Sequence, residues 1–125
     1  MKKIVETTDA PAAIGTYSQA VSSQGLTFVS GQIPLDPTSM ELVAADFVPQ
    51  AHQVFKNLSA VATAAGSSLE DCVKLTVYLV DLSDFQHLNT VMAQYISAPF
   101  PARAAVEVAA LPKGALIEID AILTA

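Results

Sequence analysis

The sequence predicts an α+β fold with the element order β-β-β-α-β-α-β-β, a mixed six-stranded sheet carrying two helices on one face. Three observations carry this. Residues 47–65 place apolar side chains at helical spacing, residues 72–80 alternate apolar and polar at strand period, and each helical segment is followed by a strand. The last point makes the connections crossovers, which are right-handed and, for a suitable strand order, put both helices on the same side of the sheet. The opposite face is then bare. Soluble monomers seldom expose contiguous apolar patches above a few hundred Å², so another copy of the chain is the expected cover.

In chain order, a short strand is expected over Lys3–Thr7. Ser18–Ser22 and Leu26–Ser30 read as two strands joined by a Ser-Gln-Gly turn. Ile33-Pro34-Leu35-Asp36-Pro37 must be a loop, because its two prolines remove ladder donors and fix φ. The first helix takes Asp46 as its N-cap, an apolar stripe from Phe47 through Val54, Leu58 and Val61 to Ala65, and Gly66 at C′. In Cys72–Val80, Val73, Leu75, Val77 and Leu79 alternate with Lys74, Thr76 and Tyr78, which is a strand. The second helix starts near Asp81 or Ser83, carries Leu82, Phe85, Leu88, Met92, Tyr95 and Ile96 on one stripe, and stops before Pro99. Two strands close the chain, Ala102–Ala109 and Leu116–Leu123, with Leu111-Pro112-Lys113-Gly114 as the turn. Ala102, Ala104 and Ala105 would permit close backbone approach at the bare face. No repeat or long linker interrupts the chain, so residues 1–125 are expected to form a single domain.

Composition narrows the function classes. Of 125 residues 52% are apolar and only 14% are charged, and the net charge is −6. Charged residues usually make up about 25% of a soluble domain. Five of the six basic residues are lysines, and Arg103 is the only arginine. Twelve carboxylates against six cations argue against a nucleic-acid surface and against an anionic membrane face. The uncharged run 10–35 contains two prolines and three glycines, which excludes a membrane span. The lone Cys72 cannot form an internal disulfide, and no secretory signal is visible, so a cytoplasmic location is expected.

Candidate chemistry rests on few side chains. In a strand, Arg103 shares a face with Ala105 and Glu107; it is either a surface arginine paired with Glu107 or a fork for a carboxylate or phosphate. Glu118 and Asp120 share a face opposite Ile117, Ile119 and Ala121, which fits a solvated outer face or a carboxylate that activates water in a cleft. Tyr17 is a half-buried strand aromatic or a phenol aimed at a ligand. Gly31, after Ser30, marks a bend or bulge, or a place where a ligand nears the backbone. His52, His87 and Cys72 are scattered singly, without metal-ligand spacing. There is no P-loop, dinucleotide fingerprint or nucleophile elbow.

Three segments in order, Pro11-Ala12-Ala13-Ile14-Gly15-Thr16-Tyr17-Ser18-Gln19-Ala20, Val29-Ser30-Gly31-Gln32-Ile33-Pro34, and Pro101-Ala102-Arg103 through Leu111-Pro112-Lys113 to Ile117-Glu118-Ile119, resemble the Rid family, also called YjgF, in its RidA subgroup. The resemblance covers nearly the whole chain. It implies a chorismate-mutase-like fold assembled as a homotrimer with clefts between subunits. It also implies hydrolysis of the enamine/imine compounds 2-aminoacrylate and 2-aminocrotonate to 2-keto acids and ammonia, with no cofactor or metal. Carried over by position, Arg103 would grip the substrate carboxylate, Glu118 would position water, and Tyr17 would hydrogen-bond in the cleft. Ser30 and Gly31 would line it, and the Ala105 N–H would point at the ligand. Ala105 stands where many members have cysteine, Thr16 replaces the usual proline, and Ser97-Ala98-Pro99 is a shorter segment than usual. A non-catalytic binder of small 2-keto acids, a ribonuclease or translation inhibitor, and a chaperone-like protein are the competing functions, the second disfavoured by charge.

Overall fold

The computed structural model describes residues 1–124; Ala125, the last residue of the expected domain, lies outside the described residues. The elements follow the expected order: β1 (Lys3–Val5), β2 (Ala20–Ser23), β3 (Leu26–Gln32), α1 (Phe47–Ala64), β4 (Cys72–Leu79), α2 (Phe85–Met92), β5 (Ala102–Glu107) and β6 (Ile117–Thr124). They build a six-stranded mixed sheet in the spatial order β1-β2-β3-β6-β4-β5. Only β4 and β5 are parallel; the other neighbours are antiparallel.

Burial divides the sheet cleanly into two faces. On β6 the odd-numbered residues Ile117, Ile119, Ala121 and Leu123 are buried, while Glu118, Asp120, Ile122 and Thr124 are only partly covered. The register carries this division across the neighbours, because paired residues project to the same side. Leu75, Val77 and Leu79 of β4 join the buried set, under Val54, Phe55, Leu58 and Val61 of α1 and Leu88 of α2. The other face holds Ile4, Phe28, Thr76, Tyr78, Ala104 and Val106, with Phe28 46% and Val106 43% exposed. The bare face expected from the element order is therefore present. Ala102 and Ala104 lie on it, but Ala105 does not: it follows the alternation of β5 to the helix side and packs against the core.

Local chemistry explains most element ends. Gln24 and Gly25 turn between β2 and β3 with φ of 55° and 78°, the paired left-handed conformation that suits a two-residue hairpin. Asp46 occupies the N-cap of α1 with extended backbone but no capping bond from its side chain. At the other end, Gly66 adopts φ 76°; its N–H donates to Thr63 O and the Ser67 N–H to Ala62 O. That pattern is a Schellman cap, as the glycine predicts.

The first strand stops at Val5 rather than Thr7, because the Thr7 N–H donates to Oε1 of the buried Gln19 at 2.7 Å. Helix α2 ends at Met92, well before Pro99. Tyr95 and Ile96 still reach the core, but through a turn: the Tyr95 ring stacks on Phe55 at 5.2 Å, and Ser97 donates its N–H to Glu70 Oε1 at 2.9 Å. Their apolar spacing reflected burial and not helix. Among the described residues no helix is long and apolar enough to cross a membrane.

The loop after β3 is fastened to α1 by Asn57, which is 1% exposed. Its Nδ2 donates to Leu35 O at 3.1 Å and Ile33 O at 3.3 Å, and its Oδ1 accepts from Gln53 at 2.8 Å. Replacing Asn57 by the similarly shaped leucine leaves the buried Leu35 carbonyl without this donor, whereas Ile33 O still accepts from the Leu35 N–H at 2.8 Å. An Asn57→Leu variant is expected to lose about 1–3 kcal/mol, measured from the shift in urea midpoint.

Candidate active site

The bulge that brings Gly31 to Glu118 is the most informative local feature. Between Val29, paired with Ala121, and Gln32, paired with Ile119, strand β3 carries one residue more than β6. Such a bulge bends the strand and lets its backbone approach the neighbouring side chain. A Cβ on Gly31 would overlap Oε2 of Glu118 and lie 2.9 Å from its Cδ. The glycine is needed here for space, not for an unusual φ.

Tyr17, Gly31 and Glu118 line one cavity of about 440 Å³, with Met40, Pro112 and Lys113 on the same wall. Tyr17 is 52% exposed, and its hydroxyl accepts from the Ile14 N–H at 3.3 Å. The segment leading to it is anchored by Gln19, whose Nε2 donates to Pro11 O at 2.8 Å and Thr7 O at 3.0 Å. Ser30 acts from beneath: its N–H donates to Gln19 O and its hydroxyl to Ser18 O, so it pins the chain beside Tyr17. Lys113, with φ 59°, reaches across to donate to Met40 O at 3.2 Å. Another cavity, of about 600 Å³, adjoins Tyr17 along residues 4–13, and Glu6 is the one charged residue on its wall among the described residues.

Partial burial pushes the Glu118 carboxyl above the usual carboxylate range, and the charge of Asp120 adds to the effect. Asp120 itself accepts from the Tyr78 hydroxyl at 2.9 Å, and this raises the affinity of that phenol for its proton. Glu118 is thus a carboxylate with more basic character than an exposed one, facing an open cavity.

Arg103 lies elsewhere. It lines a different cavity of about 440 Å³ with Asn89, Met92, Ala93, Phe100 and Pro101. Its Nη1 donates to Asn89 Oδ1 at 2.7 Å and contacts Met92 Sδ at 3.6 Å, while its Cζ sits 4.9 Å from the centroid of the Phe85 ring. It is not paired with Glu107, whose Oε1 instead accepts from the Leu82 N–H at 3.0 Å. Strand β5 is one of the two edge strands of the sheet. Because Val108 donates its N–H to Leu79 O, alternation turns the N–H groups of Ala104 and Val106 inward and those of Arg103 and Ala105 toward the free edge.

Arg103 pairs with Leu75, hence lies level with Ala121, and projects to the helix side; Glu118 pairs with Tyr78 and projects to the bare side. Two strand spacings and three residues of rise separate their Cα atoms by roughly 14 Å, on opposite faces. Within one chain the six candidates therefore divide. Tyr17, Gly31 and Glu118 meet, with Ser30 as their support, and Arg103 stands apart with the Ala105 N–H. The Asn89, Met92 and Phe85 surroundings of Arg103 were missed in the sequence; Phe85 and Met92 are on the apolar stripe of the second helix, and a polar residue at an exposed helix position such as Asn89 carries no distinguishing pattern. Among the described residues no group of three or more His, Cys, Asp or Glu is placed to hold a metal ion.

Residues 7–125 match the family described as endoribonuclease L-PSP. The chain is 47% identical to a mouse 2-iminobutanoate/2-iminopropanoate deaminase over 122 residues, 98% of this chain and 90% of that protein. Two solved structures superpose over 98% of this chain. One is RidA from an Antarctic Psychrobacter, at TM-score 0.95 and 53% identity over 99% of its chain. The other is E. coli TdcF with bound serine, at TM-score 0.92 and 42% identity over 98% of its chain.

The raised proton affinity of Glu118 has a consequence for stability. Between the ordinary glutamate value and its raised folded value, the folded state binds the proton more readily than the unfolded state, so ionising Glu118 costs stability as pH rises through that window. Glu118→Gln is expected to melt at or above the wild-type temperature at pH 7. That advantage should vanish as pH falls below about 4, where the carboxyl is neutral in both states; paired thermal melts at the two pH values measure it.

Proposed function

Because the chain belongs to the endoribonuclease L-PSP family, the Rid or YjgF family, we propose that it hydrolyses 2-aminoacrylate and 2-aminocrotonate, through their imine tautomers, to 2-keto acids and ammonia. The observation that carries this reading is the partly desolvated Glu118 carboxylate facing a cavity beside Tyr17 and Gly31. The name of the mouse relative, whose sequence aligns over almost the whole chain, supports it.

The chemistry needs little beyond placement. The imine carbon is already electrophilic. Water held by Glu118 adds to the carbon of the protonated imine, Glu118 taking a proton from the water, and the C=N bond becomes a C–N bond in a neutral carbinolamine. Glu118 returns that proton to nitrogen, and ammonia leaves as the hydroxyl gives its own proton back to the carboxylate and the C–O bond becomes the keto group. A carboxylate with raised proton affinity suits both transfers better than a fully hydrated one. Arg103 supplies charge-assisted hydrogen bonds for the substrate carboxylate, aided by the edge N–H of Ala105, and Tyr17 closes the cavity. Fixing both reactants in attack geometry contributes much of the acceleration.

A substrate of this size cannot touch Arg103 and Glu118 of one chain. The proposal therefore includes an oligomer, a homotrimer in the resemblance, in which the β5 edge of one copy meets the Glu118 cavity of the next. The bare sheet face, with Phe28, Ile4 and Val106 exposed, is the surface such an assembly would cover. The serine in the E. coli relative belongs to that protein; a small α-amino acid has the same carboxylate that Arg103 is proposed to hold here. A ribonuclease role finds less support, since a net charge of −6 with one arginine opposes a phosphate backbone.

Ammonia release from enzymatically generated 2-aminoacrylate tests the reading. Wild type should accelerate it over buffer, and Arg103→Ala should reduce kcat/KM at least about a hundredfold. Glu118→Ala should abolish most turnover, about 10²–10⁴-fold, while still binding pyruvate; a protein that binds pyruvate but shows no turnover even as wild type would be a binder and not an enzyme. Gly31→Ala should stay folded, because the group it displaces is the flexible end of Glu118, yet lose about a hundredfold in kcat through that displacement.

A further inference from the structure

Among the described residues, Arg103 is the one charged side chain lining its cavity. Its polar partners among the described residues are the Asn89 amide oxygen and the Met92 sulfur, and its Cζ lies over the Phe85 ring, 4.9 Å from the centroid. Phe85, Asn89 and Met92 occur at i, i+4 and i+7 on α2, so one helix face supplies a ring, a neutral acceptor and a thioether to one guanidinium. Both polar contacts fall on Nη1, leaving the edge formed by Nη2 and Nε for a two-pronged bond to a carboxylate.

We propose that Asn89 is a positioning residue for Arg103: its neutral amide holds the guanidinium against α2 without cancelling the charge that a substrate carboxylate must meet. The inference rests on the reading of Arg103 as the carboxylate anchor. Aspartate would fit the same space and accept the same bond at 2.7 Å, but it would form an ion pair and compete with the substrate. An amide fixes orientation and leaves the positive charge uncompensated until a ligand arrives. The ring of Phe85 adds to this, because a π face attracts the guanidinium without neutralising it.

Pyruvate titrations of wild type, Asn89→Ala, Asn89→Asp and Arg103→Ala, followed by NMR or calorimetry, test this. Asn89 is exposed, so each variant at that position is expected to fold. Affinity should fall in the order wild type, Asn89→Ala, Asn89→Asp, by a few-fold at the first step and by about tenfold or more overall for the aspartate. For 2-aminoacrylate, Asn89→Asp should raise KM far more than it lowers kcat, with no loss in melting temperature; a purely structural role would not produce that split. Binding by Asn89→Asp that equals wild type, or is no weaker than binding by Asn89→Ala, overturns the inference while leaving the anchor intact. If Arg103→Ala binds pyruvate as wild type does, the anchor reading fails and the inference with it.

Discussion

Helix α1 lies against one side of a strongly alternating sheet, and the rest of the molecule is arranged around that contact. Val54, Phe55, Leu58 and Val61 are wholly buried over Leu75, Val77, Ile117 and Ile119, so the register of β4 and β6 is held by the requirement that these residues face the helix. A slip of one residue would turn that whole set outward. The same constraint decides where the polar residues go. Glu118 and Asp120 are forced to the uncovered side because their neighbours are forced to the covered one. Arg103, level with Leu75, is sent to the helix side. The separation of the two candidate groups is thus a consequence of core packing.

Much of this was legible beforehand because burial writes itself as periodicity. The alternation of Cys72–Val80 and of the last strand, the stripe of the first helix and Gly66 at its end all correspond to what the chain does. The failures have physical causes. Tyr95 and Ile96 continue the stripe of the second helix, yet stacking on Phe55 and the Ser97–Glu70 bonds draw them into a turn. Size alone places Ala105 with Ala102 and Ala104, although strand alternation separates it from them. The register shift that puts Gly31 on Glu118 depends on a strand 87 positions away in the chain, and no local pattern announces it. The candidate residues stand out only through motif resemblance; pattern alone leaves each with an ordinary alternative.

Two electrostatic devices stand out in a chain with little charge. One is a carboxylate whose ionisation is made harder by burial and by a second carboxylate two residues on, itself held by the Tyr78 hydroxyl. The other is a single guanidinium whose surroundings are an amide, a sulfur and an aromatic face. Each is of limited use alone. A basic carboxylate without an anchored substrate has nothing to hydrate, and an anchored carboxylate without a base is only a complex. Brought together across two copies of the chain, they would provide recognition and proton transfer, and the small residues and open edge of β5 are compatible with such an approach.

The central claim is that Arg103 of one copy and Glu118 of another form one site, and subunit complementation tests it most directly. Arg103→Ala and Glu118→Ala chains, each inactive alone, are mixed by joint unfolding and refolding in equal amounts, and 2-aminoacrylate hydrolysis is measured. Sites shared between copies predict recovery of about a quarter of the wild-type rate, since half of the chains bring an intact arginine and half an intact glutamate. Refolding the wild type and each variant alone provides the reference. A mixture that regains its oligomeric mass but remains as inactive as its parents would contradict the account.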